Sequence, residues 1–302
     1  MVKVIFAFFT FVLFCFTFIY PTTKREDLSR NSHIKIFFPG NIYQEPISHS
    51  NCSIEFKDII LKVQYNHLPS NFTNRCKMDY DKYSTLIFVQ STPSKREKRD
   101  AIRSTWANPN NSLSIRNNQT RVFFIIGNGD HISEDVKYEI SAHDDLIVID
   151  IEDTYEYLVY KSAVTLRIAT NICSSSFVMK VDEDVVFHID RMYEKVLKPN
   201  FTTDPAIYCF VWPANYPFRD PSSVWHVSEY KFSGHVYPPV CSGAFYVMTK
   251  IAAKEILSAA PRFRIMKTED VLFTGLIPRS IGINRIHHKG YLIKDYEAWQ
   301  SY

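Results

Sequence analysis

The sequence lacks the motifs by which many proteins hold a nucleotide phosphate or a structural zinc ion. In its 302 residues no Gly-x-Gly-x-x-Gly follows the first apolar segment and no Walker loop occurs, which excludes both of those phosphate sites. No Cys-x-x-Cys occurs, which argues against structural zinc. The net charge is only +3, without an arginine-rich run, so we expect no nucleic-acid partner. Internal repeats and low-complexity tracts are also absent.

The N-terminus carries the one long uncharged run. Residues 4–20 contain no charge, Lys3 precedes them, and Lys24 and Arg25 follow. At about 1.5 Å per residue, a helix of this length reaches roughly 26 Å, enough for a thin bilayer. A cleaved signal peptide is the alternative, but no small-residue cleavage motif follows. We therefore predict a cytosolic tail at 1–3, a transmembrane signal anchor at 4–20, a luminal stem at 21–80 and a globular domain at 81–302.

Other features of the sequence favour a luminal location for the chain that follows the predicted anchor. Five N-glycosylation sequons begin at Asn51, Asn71, Asn110, Asn118 and Asn200. Five cysteines lie outside the membrane segment, and in an oxidising lumen they could form two disulfides. We expect Cys52 to pair with Cys76, because both precede the core, and Cys241 to form a disulfide rather than act as a nucleophile.

Apolar runs and amphipathic segments alternate after residue 83. The predicted strands are 85–90, 121–127, 146–150 and 177–181, and the predicted helices between them are 95–106, 132–142 and 155–173. This alternation predicts an α/β fold with a Rossmann-type, mostly parallel sheet and helices on both faces. A further strand is expected at 206–212, followed by a loop at 213–236, rich in Pro and aromatic residues, that suits an acceptor cleft.

The most informative segment is Phe-Val-Met-Lys-Val-Asp-Glu-Asp at 177–184, where a buried strand runs into Asp182 and Asp184. In open α/β sheets, ligands bind at the carboxyl edge where such a strand ends. Carboxylates there suit a hard cation such as Mn²⁺ or Mg²⁺, which in turn can hold a diphosphate. Glu183 should point to the opposite face. An acidic turn without function is the competing interpretation.

Six short sequence segments, taken in chain order, together resemble the motifs of a known protein family. They are Arg99-Asp-Ala-Ile-Arg103-Ser-Thr-Trp106, Phe123-Phe-Ile-Ile-Gly127, Asp153-Thr-Tyr155-Glu-Tyr-Leu158-Val-Tyr-Lys161, Lys180-Val-Asp182-Glu-Asp184, Tyr237-Pro-Pro-Val-Cys241-Ser-Gly243 and Glu269-Asp270-Val271 with Gly275. Together they resemble the Golgi β-1,3-galactosyltransferase and β-1,3-N-acetylglucosaminyltransferase group, glycosyltransferase family 31. The resemblance covers roughly residues 83–285.

The resemblance implies a GT-A fold, a type II Golgi membrane anchor, Mn²⁺, and transfer from UDP-galactose or UDP-N-acetylglucosamine to a glycan on a glycoprotein or glycolipid, with inversion at the anomeric carbon. Two residues depart from the family pattern, because Tyr157 and Val159 replace its usual Asn and Thr. Many relatives also carry a late histidine that can ligate the metal. In this chain His287 or His288 could substitute for it.

Each candidate site residue has a functional and a structural interpretation. Asp184 is assigned to the metal, Asp182 to the metal's surroundings or the donor ribose, and Asp270 to the catalytic base. The alternative for Asp270 is an acid that only decorates a helix N-terminus.

Four basic residues are candidate donor ligands. Arg99 and Arg103 could steady the nucleotide or form ion pairs with Glu97 or Asp100. Lys161 and Lys180 could meet phosphate or the acid cluster.

The aromatic candidates divide in the same way. Trp106 is assigned to the core. Trp212, Trp225 and Tyr230 could stack on an acceptor sugar or pack in the core. A glycan-binding protein or chaperone without catalysis, and a metal-dependent hydrolase using Asp182 and Asp184, are the alternatives to a transferase.

Overall fold

The computed structural model describes residues 63–78, 83–128, 132–199 and 202–288. The predicted tail and anchor lie outside these residues, and so does most of the predicted stem. Within the described residues, no helix combines the length and the apolar character needed to cross a bilayer.

One sheet of eight strands organises the described residues, in the spatial order β1-β4-β3-β2-β5-β7-β6-β8. The strands are β1 Tyr65–His67, β2 Thr85–Gln90, β3 Thr120–Gly127, β4 Leu146–Ile149, β5 Phe177–Asp182, β6 Ala206–Trp212, β7 Val240–Thr249 and β8 Asn284–His287. Strands β4, β3, β2 and β5 pair in parallel, whereas β1 and β7 run against their neighbours. The sheet is therefore mixed, with six of its described strands running in one direction.

Helices cover both faces of this sheet. The α-helices are α1 Phe72–Arg75, α2 Arg96–Ser104, α3 Leu113–Arg116, α4 Glu134–His143, α5 Leu158–Arg167, α6 Ile189–Met192, α7 Lys250–Ala259 and α8 Ile277–Ile281. Side chains of β2 alternate between two cores, with Leu86 and Phe88 on the α5 and α7 side and Ile87 and Val89 on the α2, α4 and α6 side. The predicted α/β layering is confirmed.

The helix predicted at 155–173 is broken into three conformations. A 3₁₀ turn at Tyr155–Tyr157 leads into α5, and a π-helical turn at Ile168–Ile172 ends it. Seven residues of α5 are buried. The helix therefore packs against its neighbours on several sides and not along a single apolar stripe.

Part of the predicted stem belongs to the folded body. Strand β1 pairs with β4, and Phe72 packs against Phe123 at 5.0 Å between ring centroids. The boundary at residue 80 is therefore wrong, because residues 63–78 complete the sheet edge and the core.

Two disulfides tie distant parts of the chain together, and neither is the expected Cys52–Cys76 bond. Cys76 bonds to Cys173, and Cys209 bonds to Cys241 across β6 and β7. Cys52 lies outside the described residues. The correction has a simple cause: Cys76 enters the core beside the end of α5, a long-range contact that no local pattern encodes. Cys241 is in a disulfide, as predicted.

Candidate active site

Lys180 joins the end of β5 to the last helical segment of the described chain. Its buried Nζ donates to Asp182 Oδ1 at 2.6 Å and to the Gly243 carbonyl at 2.5 Å, and it lies 3.2 Å from Glu269 Oε1. Burial alone would lower the pKa of Lys180, but the negative charges of Asp182 and Glu269 raise it above its ordinary value. The ammonium therefore stays charged, and its three hydrogens are directed to protein oxygens.

Asp270 lies next to this cluster, at the start of the helical segment that continues as a π-helical turn at Val271–Leu276 and then as α8. Its Oδ1 accepts from the Val271 N–H at 2.8 Å. Burial, and then the charge of Glu269, raise the pKa of Asp270 to about 7. The Glu269 carboxylate is itself fixed, because Tyr246 Oη donates to its Oε2 at 3.0 Å.

Two glycines let the Asp270 helix approach β7. A Cβ on Gly275 would lie 2.4 Å from Val240 Cγ1, and one on Gly243 would lie 3.1 Å from Asp270 Oδ2. Thr274 Oγ1 accepts from the Cys241 N–H at 2.9 Å, which joins the π-helical turn to the strand. Such turns recur at functional sites.

The two acids that follow Lys180 along the chain point in different directions. Asp182 faces Lys180, and the Asp182 side chain is 33% exposed to solvent. Glu183 turns to the loop after β2, where it accepts from Ser91 Oγ at 2.6 Å, as alternation along an extended segment predicts. Asp184 is exposed and acts electrostatically on Asp182. The exposed and half-exposed carboxylates thus lie at the carboxyl edge of the sheet.

Lys161 stabilises the same carboxyl edge of the sheet, near the ends of β2 and β3. Its buried Nζ donates to Asp153 Oδ1 at 2.5 Å and to the Ser91 carbonyl at 2.6 Å. Burial lowers the pKa of Lys161, and the charge of Asp153 opposes that shift. Asp153 Oδ2 in turn accepts from the Gly127 N–H at 2.8 Å. Lys161 therefore pairs with Asp153, which lies outside the acid cluster that was one of its two expected partners.

Arg99 and Arg103 form ion pairs, with Asp100 among the expected partners and with Glu139 and Asp145 as partners that the sequence did not indicate. The fully buried Arg99 binds both carboxylate oxygens of Glu139, at 2.8 and 2.6 Å, and donates to Ser91 Oγ at 2.8 Å. Arg103 binds Glu139 at 2.7 Å, and it pairs with Asp145 and Asp100, each at 2.7 Å. Both arginines thus fasten α2 to α4, and Arg99 also fixes the loop after β2.

An exposed aromatic ring lies beside the acid cluster that Asp182, Glu269 and Asp270 form around Lys180. Tyr155 is 40% exposed, and its phenol lies within electrostatic reach of Asp270, Glu269 and Asp182. Tyr155 belongs to the Asp153–Lys161 segment of the resemblance, but the sequence assigned it no role. Within the predicted acceptor loop, Tyr230 is 67% exposed with the Arg264 guanidinium 4.1 Å from its ring centroid.

The tryptophans divide as follows. Trp106 is buried and packs against Phe187, as predicted for a core residue. Trp212 packs against the core, and Trp225 pairs with Phe218 at 5.4 Å between ring centroids.

The late histidines lie at the carboxyl end of β8, the outermost described strand next to β6, where His287 is in register with Cys209. His287 Nδ1 accepts from the Val211 N–H at 3.1 Å, and the His288 N–H donates to the Cys209 carbonyl. Among the described residues, no three His, Cys, Asp or Glu side chains converge as a metal site. Metal ligation by either histidine stays a prediction.

Comparison with known proteins identifies the family. The galactosyltransferase family model matches residues 97–289. The chain belongs to the galactosyltransferase family. This match covers the Asp182 and Asp270 segments together, and it confirms both the resemblance stated from the sequence and the prediction of a glycosyltransferase family.

Individual relatives agree with this family. The chain is 31% identical over 245 residues to beta-1,3-galactosyltransferase bre-2 of Caenorhabditis elegans, which covers 78% of this chain and 66% of the relative. It is 28% identical over 279 residues to beta-1,3-galactosyltransferase 1 of Mus musculus, covering 90% of this chain and 79% of the relative. The chain thus spans just under two thirds of the nematode relative.

The contact between Gly243 and Asp270 generates a prediction. In a Gly243→Ala variant the new Cβ would press on Asp270 Oδ2, and the carboxylate would have to move by a few tenths of an ångström. We expect sugar transfer to fall at least about tenfold, because small misplacements of a reacting group are costly. The rate of sugar transfer by the purified protein measures the effect on activity, and its unfolding temperature measures any effect on stability.

Gly282→Ala provides the matched control. A Cβ there would meet nothing within 4 Å, but its φ of 77° strains an alanine, so this variant should lose stability without displacing Asp270. A Gly243→Ala protein that transfers sugar as fast as wild type would show that the position of Asp270 does not matter.

Proposed function

We propose that this protein transfers galactose from UDP-galactose to a hydroxyl of a glycan acceptor, forming a β-1,3 linkage with inversion and using Mn²⁺. The observation that carries the proposal is the single cluster formed by Asp182, Lys180, Glu269 and Asp270 at the carboxyl edge of the sheet. The names of the relatives favour galactose, and N-acetylglucosamine is the second donor sugar to be tested.

The residues present fit a hard divalent ion. Asp184 and Asp182 offer carboxylate oxygens with solvent access. Mg²⁺ and similar ions are commonly bound by one or two carboxylates plus substrate phosphates, so a set of two acids suffices. When bound, such an ion supplies Lewis-acid stabilisation of the UDP leaving group. Lys180 contributes by fixing the orientation of Asp182.

Asp270 is the proposed base. Its Oδ1 is held by the Val271 N–H, and its Oδ2 lies on the Gly243 side, where no side chain intervenes. The acceptor hydroxyl would lose its proton to Asp270 as its oxygen forms a bond to the anomeric carbon, and the bond from that carbon to UDP breaks on the opposite face. A pKa of about 7 makes the carboxylate a far better proton acceptor than an ordinary aspartate.

The acceptor is assigned to the long loop between β6 and β7. This loop starts at the carboxyl end of β6 and returns at the start of β7, so both of its ends lie at the edge that carries the acid cluster. Arg219 stiffens it by donating to the carbonyls of Val227, Phe232 and Gly234. The exposed rings of Tyr216 and Tyr230 then offer apolar faces to a sugar.

We also propose a Golgi membrane location, single-pass and type II, with this domain in the lumen. The uncharged run at 4–20 supplies the anchor. The two disulfides support an oxidising compartment.

Two substitutions separate the roles of the acids. Asp184→Asn should abolish most Mn²⁺-dependent binding of UDP, because a neutral amide is a weaker ligand for a hard cation. Asp270→Asn should leave that binding intact while transfer falls by about 10²–10⁴-fold, because only the proton acceptor is lost. Calorimetry of UDP with Mn²⁺, and UDP release with an acceptor panel, measure the two steps.

The exposed Asp135 on α4 provides a control, since Asp135→Asn should change neither readout. Asp184→Asn protein that binds UDP and Mn²⁺ normally would refute the metal assignment. Wild-type protein that binds glycans but releases no UDP from either donor sugar would favour the non-catalytic alternative.

The acid limb of the pH profile tests the environment of Asp270. Its base form is needed for transfer, so kcat/KM should rise with pH through about 7. Glu269→Gln removes a negative charge that raises the pKa of Asp270. The midpoint of the limb should therefore move to lower pH in that variant. A midpoint that stays in place, or moves upward, would contradict the assignment of this limb to Asp270.

A further inference from the structure

Three predicted sequons lie at the edge of the sheet opposite the acid cluster. Asn118 lies two residues before the start of β3 at Thr120, and Arg116 of α3 donates to the Asn110 carbonyl at 3.0 Å. Asn71 follows Ser70, whose N–H donates to Asp144, just before β4 begins. All three asparagines are exposed. The sequons at Asn51 and Asn200 lie outside the described residues.

A cavity of about 370 Å³ opens beside Asn118, within the size range of small-ligand pockets. Its lining includes Asn118, Thr120, Arg121, Arg75 and Asp145. Arg75 pairs with Asp144 at 2.9 Å, and Arg103 in the same lining pairs with Asp145. Arg75 and Arg103 are thus paired with acids, and Arg121 adds further N–H donors to the lining, so the cavity suits a ligand rich in oxygen acceptors such as a sugar.

Two polar atoms in this lining have no hydrogen-bond partner among the described residues. They are Thr120 Oγ1, in a residue that is 1% exposed, and the buried Arg121 Nε. Buried polar groups are normally satisfied, so each orphan atom needs a partner from elsewhere. Sugar hydroxyl and amide oxygens would accept a hydrogen bond from either group.

The folded position of the Asn118 side chain is compatible with an attached glycan. Asn118 has a left-handed backbone with φ 57°, and its Oδ1 accepts from Arg121 Nη2 at 3.1 Å. An N-linked glycan leaves Oδ1 unchanged and is attached at Nδ2. The hydrogen bond from Arg121 would therefore persist after modification.

We propose that Asn118 carries an N-linked glycan whose first N-acetylglucosamine occupies this cavity, on the edge away from the active site. The inference rests on the luminal location proposed above. The amide Nδ2 forms a bond to C1 of the sugar while the bond from C1 to a lipid-linked diphosphate breaks. The lipid diphosphate leaves with the electron pair, and Nδ2 loses one proton. Because Thr120 is buried in β3, this transfer precedes folding of the strand.

Matched substitutions of Thr120 test occupancy in the full chain expressed in a eukaryotic secretory cell. Thr120→Ser keeps the sequon, and Thr120→Val destroys it while retaining the side-chain shape. Glycopeptide mass spectrometry should find the glycan in wild type and Thr120→Ser, and should find none in Thr120→Val or Asn118→Gln. If Asn118 is unmodified while Asn71 and Asn110 carry glycans, this inference is overturned, and the proposed luminal location still stands.

Enzymatic release of the glycans tests the cavity. Peptide N-glycosidase must reach the Asn–sugar bond, so it should act on folded protein at least about tenfold more slowly at Asn118 than at Asn110. The rates should become equal after denaturation, and Arg121→Ala should speed release at Asn118. Equal rates in the folded wild type would overturn the cavity assignment.

Failure of the proposed function would look different. Absence of glycan at every sequon would contradict the luminal location as well as this inference. Loss of UDP release from a protein with a protected glycan at Asn118 would refute only the transferase. Sugar transfer by Thr120→Val should match that of wild type, because Thr120 lies at the opposite edge of the sheet.

Discussion

The site depends on one buried ion-pair cluster centred on Lys180. A single ammonium binds Asp182 at the end of β5, the Gly243 carbonyl on β7 and Glu269 beside Asp270. It therefore links the carboxylates proposed for the metal side to the carboxylate proposed as base. Burying so many charges is tolerated only because each is paired and hydrogen-bonded. Removing the cation would leave several acids facing one another in a low-dielectric environment.

The fold supplies this meeting point through strand direction. Parallel strands bring their carboxyl ends to one edge, and the antiparallel β7 begins there, so Gly243 and the cluster share a layer. The Cys209–Cys241 disulfide ties β7 to β6, and Thr274 ties the Asp270 helix to Cys241. Arg99, Glu183 and Lys161 all bind the loop after β2 and stiffen the same edge. Rigid support of this kind is what a reactive carboxylate needs.

Sequence patterns predicted what is local and missed what is long-range. The strand ending at Asp182 is visible in the sequence because its apolar run stops there, and the helix near Asp270 is visible because an acidic pair precedes an apolar segment. Glu139 gave no signal, since an acid on a polar helix looks solvated until Arg99 and Arg103 are placed against it. The Cys76–Cys173 bond and the pairing of β1 with β4 were equally hidden, because each joins segments far apart in the chain. The contacts of Lys180 with Gly243 and Glu269 belong to this second class.

The most direct test replaces Lys180 with Met, which keeps the length of the side chain and removes its charge. The folded variant should lose both Mn²⁺-dependent UDP binding and the rate at saturating donor, each by about tenfold or more, because Asp182 and Asp270 depend on the same cation. Lys250→Met, at the other end of β7, should change neither quantity. A folded Lys180→Met protein that binds UDP and transfers sugar like wild type would contradict the central role of this ion-pair cluster.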